Sequence, residues 1–285
     1  MVKIVKYFFQ SLLIFTFFLI CRIIGLKFSR IIFSNLFVLV GPLFRSKKII
    51  KRNLNIASKV ISNLNEKKIV KNMWKNYGMT FVEYIFLKRF REKNSHITIN
   101  DLAGLSEISN KKKPAIFISG HFANFELMSM EITKRNISLA TIYRPLNNVF
   151  LNSFMESLRK KFICKNQIKK GVNGVRESID YLKKNHCLAL MIDQRVSEGK
   201  EVDFFNQAAL TTTLPAQLSI KFNLDIIPVF IERDKDNNFQ IEFQEKIVPS
   251  YFKNKIDLTR KLNNVLENMI KKNPNQWIWT HNRWK

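Results

Sequence analysis

Cysteine and histidine are scarce in this chain of 285 residues, and their scarcity narrows the chemistry available to it. The three cysteines, Cys21, Cys164 and Cys187, stand at no paired spacing, which indicates neither a disulfide framework nor a zinc site and fits a reducing compartment. No Gly-x-Ser-x-Gly motif occurs, so the chain lacks the nucleophile elbow of serine hydrolases. The four histidines remain as candidates for a general base.

Acidic residues are also few. The chain has 22 Asp and Glu against 48 Lys and Arg, which gives a formal net charge of +26. This excess is far beyond what solubility needs, so we expect an anionic partner such as phospholipid, a phosphorylated lipid, nucleic acid or an acidic protein. We find no recognisable nucleic-acid-binding module, no internal repeat and no long disordered linker.

An uncharged run of about fifteen residues, Tyr7 to Cys21, lies near the N-terminus. With Arg22 tolerated it reaches about 20 residues, close to the ~30 Å needed to span hydrocarbon. No small-x-small cleavage site follows, which argues against a cleaved signal peptide. A second run, residues 31–44, is too short to span and is expected to be interfacial or packed under the domain. We therefore predict a membrane anchor with interfacial helices over residues 1–45 and one main domain over residues 46–285.

Basic residues follow the second run at the depth where headgroup phosphates would lie. They are Arg45, Lys47, Lys48, Lys51 and Arg52. Positive charge is heavier after the first run than before it. This asymmetry predicts that the main body lies on the cytoplasmic side of the membrane.

Short apolar runs alternate with helical patterns through the rest of the chain. The runs predict strands at Ala115–Ser119, Ser138–Tyr143, Leu188–Ile192, Ile226–Ile231 and Phe239–Phe243. The helical patterns lie at Glu66–Leu87, Ala123–Arg135, Val149–Lys161, Val172–Lys184 and Thr212–Lys221. This alternation predicts an α/β fold: a layered, mixed and partly parallel sheet flanked by helices, with an N-terminal membrane helix.

A histidine and a glutamate follow the first of these strands directly. Gly120 permits a sharp turn there, and Asn124 is expected to cap the helix that follows. Residues five apart within a helix point about 140° away from each other, so His121 and Glu126 can meet only if His121 lies on the turn and Glu126 on the first helical turn. They are candidates for a general base and its orienting carboxylate. His96 has an acid at the same spacing but lies in a polar stretch, which indicates a surface or strand-edge residue.

Other polar residues follow predicted strands in the same way. Arg144 comes directly after the second strand, and Asp193 comes directly after the third. Ligands of open α/β sheets bind at the carboxyl ends of strands, so these residues are expected near His121. A buried histidine with an ordinary helix charge at Glu126 remains a structural alternative.

Six blocks of sequence are together more specific than the His121–Glu126 spacing. They are Gly120-His121-Phe122-Ala123-Asn124-Phe125-Glu126-Leu127, Tyr143-Arg144-Pro145-Leu146-Asn147-Asn148, Ile192-Asp193-Gln194-Arg195, Val202-Asp203-Phe204-Phe205, Thr211-Thr212-Thr213 and Trp279-Thr280-His281-Asn282-Arg283-Trp284. With these blocks, and with Arg52-Asn53-Leu54, the chain resembles the bacterial lipid A late acyltransferases of the lysophospholipid acyltransferase-like superfamily. It departs from them soon after Arg159, where Lys165-Asn166-Gln167 replaces the expected paired glycines.

The resemblance implies transfer of a fatty acyl chain from an acyl-carrier-protein thioester to a hydroxyl of a phosphorylated lipid A precursor, in lipopolysaccharide biosynthesis. It implies no cofactor, no metal and no nucleic acid. His121, in the His-x4-Glu motif, would be the catalytic base and Glu126 would orient it. By resemblance, phosphate or oxyanion contacts are assigned to Arg144 and Arg159, and the shape of the pocket to Asp193 and Gln194.

The resemblance also implies an inner-membrane location, with a single N-terminal anchor and the catalytic domain on the cytoplasmic side. An apolar channel for the donor chain is expected, with candidate linings at Phe122, Phe125, Phe150 and Phe154. Three alternatives remain open. They are a glycerolipid or phosphatidylinositol mannoside acyltransferase with the same dyad, a metal-dependent hydrolase with ligands at His121, Glu126 and Asp193, and a membrane-anchored protein that binds nucleic acid.

Overall fold

Helices and strands alternate along most of the chain. The computed structural model describes residues 2–111 and 113–285. Its helices are α1 (Val2–Phe44), α2 (Lys47–Ala57), α3 (Glu66–Glu83), α4 (Leu87–Glu92), α5 (Leu105–Lys111), α6 (Glu126–Lys134), α7 (Val149–Phe162), α8 (Val172–Lys183), α9 (Leu214–Phe222) and α10 (Lys255–Lys272). Its strands are β1 (Ile97–Asp101), β2 (Ile116–Ser119), β3 (Leu139–Tyr143), β4 (Asn166–Lys169), β5 (Cys187–Met191), β6 (Lys200–Phe204), β7 (Gln207–Thr211), β8 (Ile226–Arg233) and β9 (Phe239–Phe243).

Seven of these strands form one mixed sheet in the order β1-β9-β8-β2-β5-β3-β4. All neighbouring pairs are parallel except β8 and β9. The remaining strands, β6 and β7, form a separate antiparallel hairpin. The predicted α/β class with a partly parallel sheet flanked by helices is therefore confirmed.

Side chains of the central strands point alternately to the two faces of the sheet, as the pleat requires. In β2, Ile116 and Ile118 join one buried cluster whereas Phe117 joins the other. The first cluster also contains apolar residues of α9 and α10, and the second contains residues of α4 and α6. Both faces are covered, which explains why β2 is apolar at every position that precedes Ser119.

Helix α1 is apolar and is interrupted at Gly25, whose φ of 81° and ψ of 168° are not helical. It is the one helix among the described residues that is long and apolar enough to cross a membrane, with a mean hydropathy of 2.1 over its best window. Its C-terminal part packs on α3 at two glycines. A Cβ at Gly41 would lie 2.3 Å from the ring of Trp74, and one at Gly78 would lie 2.1 Å from the carbonyl oxygen of Phe33.

The predicted strands form within one or two residues of the expected limits. Helix α6 begins later than predicted, at Glu126, because Ala123 has a left-handed backbone with φ of 42°. Asn124 therefore does not cap α6, and that prediction is wrong. We did not predict the hairpin of β6 and β7, the edge strand β4 or helix α10.

Candidate active site

His121 lies on the turn that leaves the central strand β2. Its half-buried ring stands at the carboxyl edge of the sheet, with the ring of Phe125 edge-on at 4.6 Å between centroids. Gly120 allows this turn because a Cβ there would lie 2.8 Å from the ring of Phe122 and 2.9 Å from Leu266. The predicted position of His121 between strand and helix is the one observed.

Asp193 reaches His121 because of the register between two parallel strands. Ser119 of β2 is paired with Met191 of β5, so residues two positions further along each strand leave the sheet side by side. Asp193 Oδ1 lies 2.7 Å from His121 Nδ1, and Asp193 Oδ2 accepts the backbone N–H of His121 at 2.8 Å. The topology therefore brings a carboxylate to the ring from a segment remote in sequence.

The Asp193 carboxylate is fully buried and accepts a third hydrogen bond from the indole N–H of Trp277, at 2.9 Å. Burial by itself would raise the pKa of Asp193, but the charge and hydrogen bonds of His121 outweigh it and hold the pKa below its usual range. An ionised Asp193 can only accept the hydrogen bond from Nδ1, so the proton of the neutral ring is on Nδ1. The lone pair of Nε2 is then free to act as a base.

Gln194 and His281 lie next to this free nitrogen. The side-chain amide of Gln194 is 3.3 Å from His121 Nε2 and 2.9 Å from His281 Nε2, so one NH₂ group can donate to both rings. Burial, followed by the positive charge of a protonated His121, lowers the pKa of His281 to about 4, although Asp193 opposes this shift. His281 is therefore neutral near pH 7 and can accept the hydrogen bond that holds Gln194 in position.

Among the described residues, no hydrogen bond or ion pair joins Glu126 to His121, so the structure does not show the contact of the predicted dyad. Glu126 Oε1 accepts hydrogen bonds from Arg159, at 2.8 Å from Nε and 2.5 Å from a terminal nitrogen, and from the hydroxyl of Tyr84. The left-handed residue Ala123 delays the start of α6, and Glu126 then faces α7 rather than the ring. Asp193 has the position that we had assigned to Glu126.

The loop between His121 and Glu126 is fastened to helix α3. The carbonyl of Ala123 accepts hydrogen bonds from Asn76 at 3.3 Å and from Thr80 at 2.9 Å. The amide of Asn124 donates to Glu83 at 2.9 Å. Glu83 is completely buried, and these contacts fix the backbone on both sides of the left-handed residue.

Two arginines hold the charge of Glu83 inside the protein. Arg233 contacts it at 2.5 and 3.0 Å, and Arg30 of α1 contacts it at 2.7 Å. Burial would raise the pKa of Glu83, but the two guanidinium groups outweigh it and lower the pKa. Breaking such a buried pair commonly costs about 3–5 kcal/mol, so this cluster is a rigid support for the loop.

The arginines that we assigned to substrate have different surroundings. Arg159 is engaged by Glu126 and Tyr84, so its prediction as a phosphate or oxyanion contact does not match its observed partners. Arg144 is exposed and has no ion pair within the described part of the chain. The charges of Arg144 and Arg45 both contribute to the lowered pKa of His281, which indicates that they lie near the site.

Trp277 and His281 were missed as members of the site, although His281 belongs to one of the sequence blocks. Both lie in the C-terminal segment, which is tied to α2 because Asn53 donates to the carbonyls of Trp279 and His281, at 2.8 and 2.6 Å. A C-terminal segment that contains tryptophan, histidine and arginine is expected to pack on the protein and not to form a flexible tail. This composition was the signal in the sequence that the segment belongs to the folded domain.

The four phenylalanines that we predicted to line a donor channel have different surroundings. Phe125 is beside His121, whereas Phe122 is buried against Phe230. Phe150 and Phe154 contact aromatic rings of α1. The donor channel therefore stays a prediction.

The three ligands of the metal-hydrolase alternative do not come together, since Glu126 faces Arg159 and not the His121–Asp193 pair.

A family model described as "bacterial lipid A biosynthesis acyltransferase" matches residues 1–285. No curated protein matches the chain. Among solved structures, the chain is similar to the 1-acyl-sn-glycerophosphate (LPA) acyltransferase PlsC from Thermotoga maritima, at 14% identity and a TM-score of 0.41, over 89% of this chain and 100% of that one.

Proposed function

Because the chain belongs to the bacterial lipid A biosynthesis acyltransferase family, we propose that it transfers a fatty acyl chain from an acyl-carrier-protein thioester to a hydroxyl of a phosphorylated lipid A precursor. Membership makes the chain an acyltransferase that acts on a lipid. The donor, the acceptor hydroxyl and the reacting residues are the proposal. The observation that carries it is the His121 ring at the carboxyl edge of the sheet, with Nδ1 held by a buried carboxylate and with an unprotonated Nε2 beside the Gln194 amide.

His121 is the proposed general base. Nε2 takes the proton of the acceptor hydroxyl while the hydroxyl oxygen attacks the thioester carbonyl carbon. When the tetrahedral intermediate collapses, the carbon–sulfur bond breaks and the imidazolium returns the proton to the thiolate. A positioned base of this kind supplies roughly 10²–10⁴-fold in rate. Asp193 stabilises the imidazolium and keeps the proton of the neutral ring on Nδ1.

Gln194 is the proposed donor to the developing oxyanion. Its amide NH₂ group is already beside Nε2, in the region that the reacting oxygen must enter. A donor aimed at a tetrahedral oxyanion is typically worth about 3–4 kcal/mol. His281 is the proposed positioning residue for Gln194, because it accepts the second hydrogen bond of the same group.

Glu126 and Arg159 are proposed to act through structure rather than through contact with substrate. Their ion pair joins the start of α6 to α7, and Arg159 also donates a hydrogen bond to the hydroxyl of Tyr84. This arrangement fixes the end of the loop that carries His121. Acceptor phosphate is assigned instead to exposed cations near His281, and Arg144 and Arg45 have the charge and the freedom for that role.

The proposed place of action is the cytoplasmic face of the inner membrane. The basic residues that flank the apolar runs suit the anionic headgroups of the cytoplasmic leaflet. Three free and buried cysteines fit a reducing compartment. The strongly basic surface suits both proposed partners, since the carrier protein is acidic and the glycolipid is phosphorylated.

The experiment is an acyl-transfer assay with the purified full-length chain in mixed micelles. It uses acyl-carrier-protein thioesters of graded chain length and, as parallel acceptors, a tetra-acylated lipid A precursor and lysophosphatidic acid. We expect the lipid A precursor to gain the mass of one acyl chain and lysophosphatidic acid to gain none. The rate should be unchanged by a chelator.

Two outcomes would contradict the proposal. Acylation of lysophosphatidic acid alone would favour the glycerolipid alternative with the same histidine. Loss of activity on chelation, with recovery after addition of a divalent metal, would favour the metal-dependent hydrolase.

A further inference from the structure

Helix α1 folds back on itself at Gly25. The rings of Phe17 and Phe33, each eight positions from Gly25, lie 6.0 Å apart. In an unbroken helix, residues 16 positions apart would be about 24 Å apart along the axis. The hydroxyl of Ser29 closes the bend by donating to the carbonyls of Cys21 and Gly25, at 3.1 and 2.7 Å. The helix therefore consists of a first arm, residues 2–24, and a second arm, residues 26–44.

The first arm is attached to the catalytic domain near its beginning and again in its middle. Asn148, the residue before α7, donates to the carbonyl of Tyr7 at 2.9 Å and accepts from Ser11 at 3.0 Å. Further on, the rings of Phe15 and Phe154 are 5.2 Å apart. An arm held in this way lies along α7 and cannot extend away from the domain across a bilayer.

The second arm is attached over its whole length to α3. Arg30 pairs with Glu83 at 2.7 Å at one end, and Gly41 lies under Trp74 at the other. Between them, Gly78 touches the backbone of Phe33. Both arms are thus parts of the folded domain.

Length and charge also argue against a span. The uncharged stretches, residues 7–21 and 31–44, are each about 15 residues or fewer, which is about 22 Å of helix against ~30 Å of hydrocarbon. Basic residues occur near both ends of α1 and at its bend. They are Lys3, Lys6, Arg22, Lys27, Arg45, Lys47 and Lys48. A spanning hairpin would require the charges of its bend to be carried across the hydrocarbon to the far headgroup layer.

Most of the side chains that the domain leaves uncovered on α1 are nevertheless apolar. The exposed apolar ones are Ile4, Val5, Phe8, Phe9, Leu12, Leu13, Phe17, Leu19, Ile20, Ile23, Phe28, Ile31, Ile32, Leu39, Leu43 and Phe44. The surface continues onto the first turn of α7, where Val149 and Phe150 are exposed, and onto Leu146 in the loop before it. The ring of Phe150 lies 5.8 Å from that of Phe8. A water-exposed surface of this extent marks an interaction site.

We propose that the bent helix α1 and the N-terminal turn of α7 lie within one leaflet of the membrane, and that α1 does not cross the bilayer. The partner is the acyl-chain region of a single leaflet, with the basic ends at its headgroup phosphates. In this arrangement, residue 3 and the catalytic domain lie on the same side of the membrane. Since α7 begins at the carboxyl edge of the sheet, this placement also turns the proposed active site towards the leaflet, and only this last step rests on the proposed function.

The side of the membrane can be tested with introduced cysteines. Lys3→Cys and Lys253→Cys, the latter exposed on the domain, are each treated with a membrane-impermeant maleimide in spheroplasts and in inside-out vesicles. The unsubstituted chain gives the background from its three buried cysteines. We expect both positions to react in the same preparation. Reaction of position 3 and position 253 in opposite preparations would overturn the proposal. A short N-terminal tag with one cysteine answers the same question if position 3 is shielded.

Depth gives a second, independent measurement. Leu13→Cys, in the middle of the first arm, is labelled with bimane and reconstituted in lipids brominated at either shallow or deep acyl positions. In the proposed arrangement, the shallow bromines quench the fluorescence more strongly. Stronger quenching by the deep bromines would mean that the first arm spans the bilayer. Neither measurement depends on catalysis, so failure here is distinguishable from failure of the acyl-transfer assay.

Discussion

Asp193 accepts three hydrogen bonds, and two of them come from His121. A carboxylate fixed from three directions defines both the orientation of the ring and the nitrogen that carries its proton. It also stabilises the imidazolium that forms when the ring takes a proton, because the charge pair is shielded from water. At the residue scale, the proposed catalytic group is therefore a histidine with its carboxylate, supported by the amide of Gln194.

Substitutions of Asp193 and of Glu126 test which of the two carboxylates orients the His121 ring. Asp193→Asn should lower kcat by about 10²–10⁴-fold with little change in KM, because the amide donates to Nδ1 and moves the ring proton to Nε2. Glu126→Gln should affect kcat less and lower Tm by several degrees, because it leaves the buried Arg159 without its ion pair. Steady-state kinetics and thermal unfolding of both variants check this. A near-normal Asp193→Asn enzyme beside an inactive but stable Glu126→Gln enzyme would refute the assignment.

His281 gives the protein a pH-dependent stability. Its pKa is about 4 in the fold against an ordinary value of 6.5, because burial penalises the charged ring. Between these values the unfolded chain binds more protons, so stability is complete above pH 6.5 and falls as the pH drops towards 4, by at most about 3 kcal/mol. His96, also lowered to about 4 by burial, contributes in the same window.

The variant His281→Gln should therefore show a shallower fall of Tm between pH 6.5 and pH 4 than the unsubstituted protein. Thermal unfolding in detergent at several pH values measures this slope. Asp193 contributes only below that window, since its lowered pKa preserves its charge down to strongly acidic pH. An unchanged slope in the variant would show that His281 is not buried in its neutral form.

At the scale of elements, glycines decide how closely α1 approaches α3. Gly78→Ala should push the second arm outwards, since a Cβ there would lie 2.1 Å from the carbonyl oxygen of Phe33. Overpacking of this kind costs about 1–3 kcal/mol, so Tm should fall by several degrees. Lys71→Ala, at an exposed position of the same helix, is the matched control. Equal Tm values for the two variants would contradict the close packing of α1 on α3.

The buried elements are the ones that the sequence predicts well. Strand β5 is apolar throughout and β2 is apolar up to Ser119, so the limits of both strands follow from composition. Strand β4, Asn166–Lys169, is a polar edge strand without such a pattern. Helix α10 does carry helical spacing, through Leu258, Leu262 and Leu266, and could have been predicted.

The carboxylate partner of His121 could not be read from local spacing. It depends on which strand lies beside β2, and on the register that pairs Ser119 with Met191. Pairing between strands is a long-range property, so the sequence motif indicated the base but not its partner. The left-handed backbone of Ala123, which turns Glu126 away, also has no signal in the residue type, because alanine rarely adopts it.

At the scale of the whole molecule, the proposed catalytic residues and the exposed apolar surface meet at the carboxyl edge of the sheet. His121 and Asp193 stand there, and α7, whose exposed apolar turn continues the surface of α1, begins there. The formal charge of +26 gives the whole molecule a basic character, which suits the anionic partners that we propose. The sequence predicted the charge and the apolar helix, but the bend of that helix required the structure.

The most direct test of the central claim is single-turnover acyl transfer by the full chain in vesicles, with His121→Ala beside His186→Ala. His186 lies before β5, at the opposite edge of the sheet, where its Nδ1 is 3.1 Å from the carbonyl of Lys184. We predict that His121→Ala lowers the rate by at least about 10²-fold while His186→Ala stays within about twofold of the unsubstituted chain. A His121→Ala protein that transfers acyl chains at the normal rate would contradict the account.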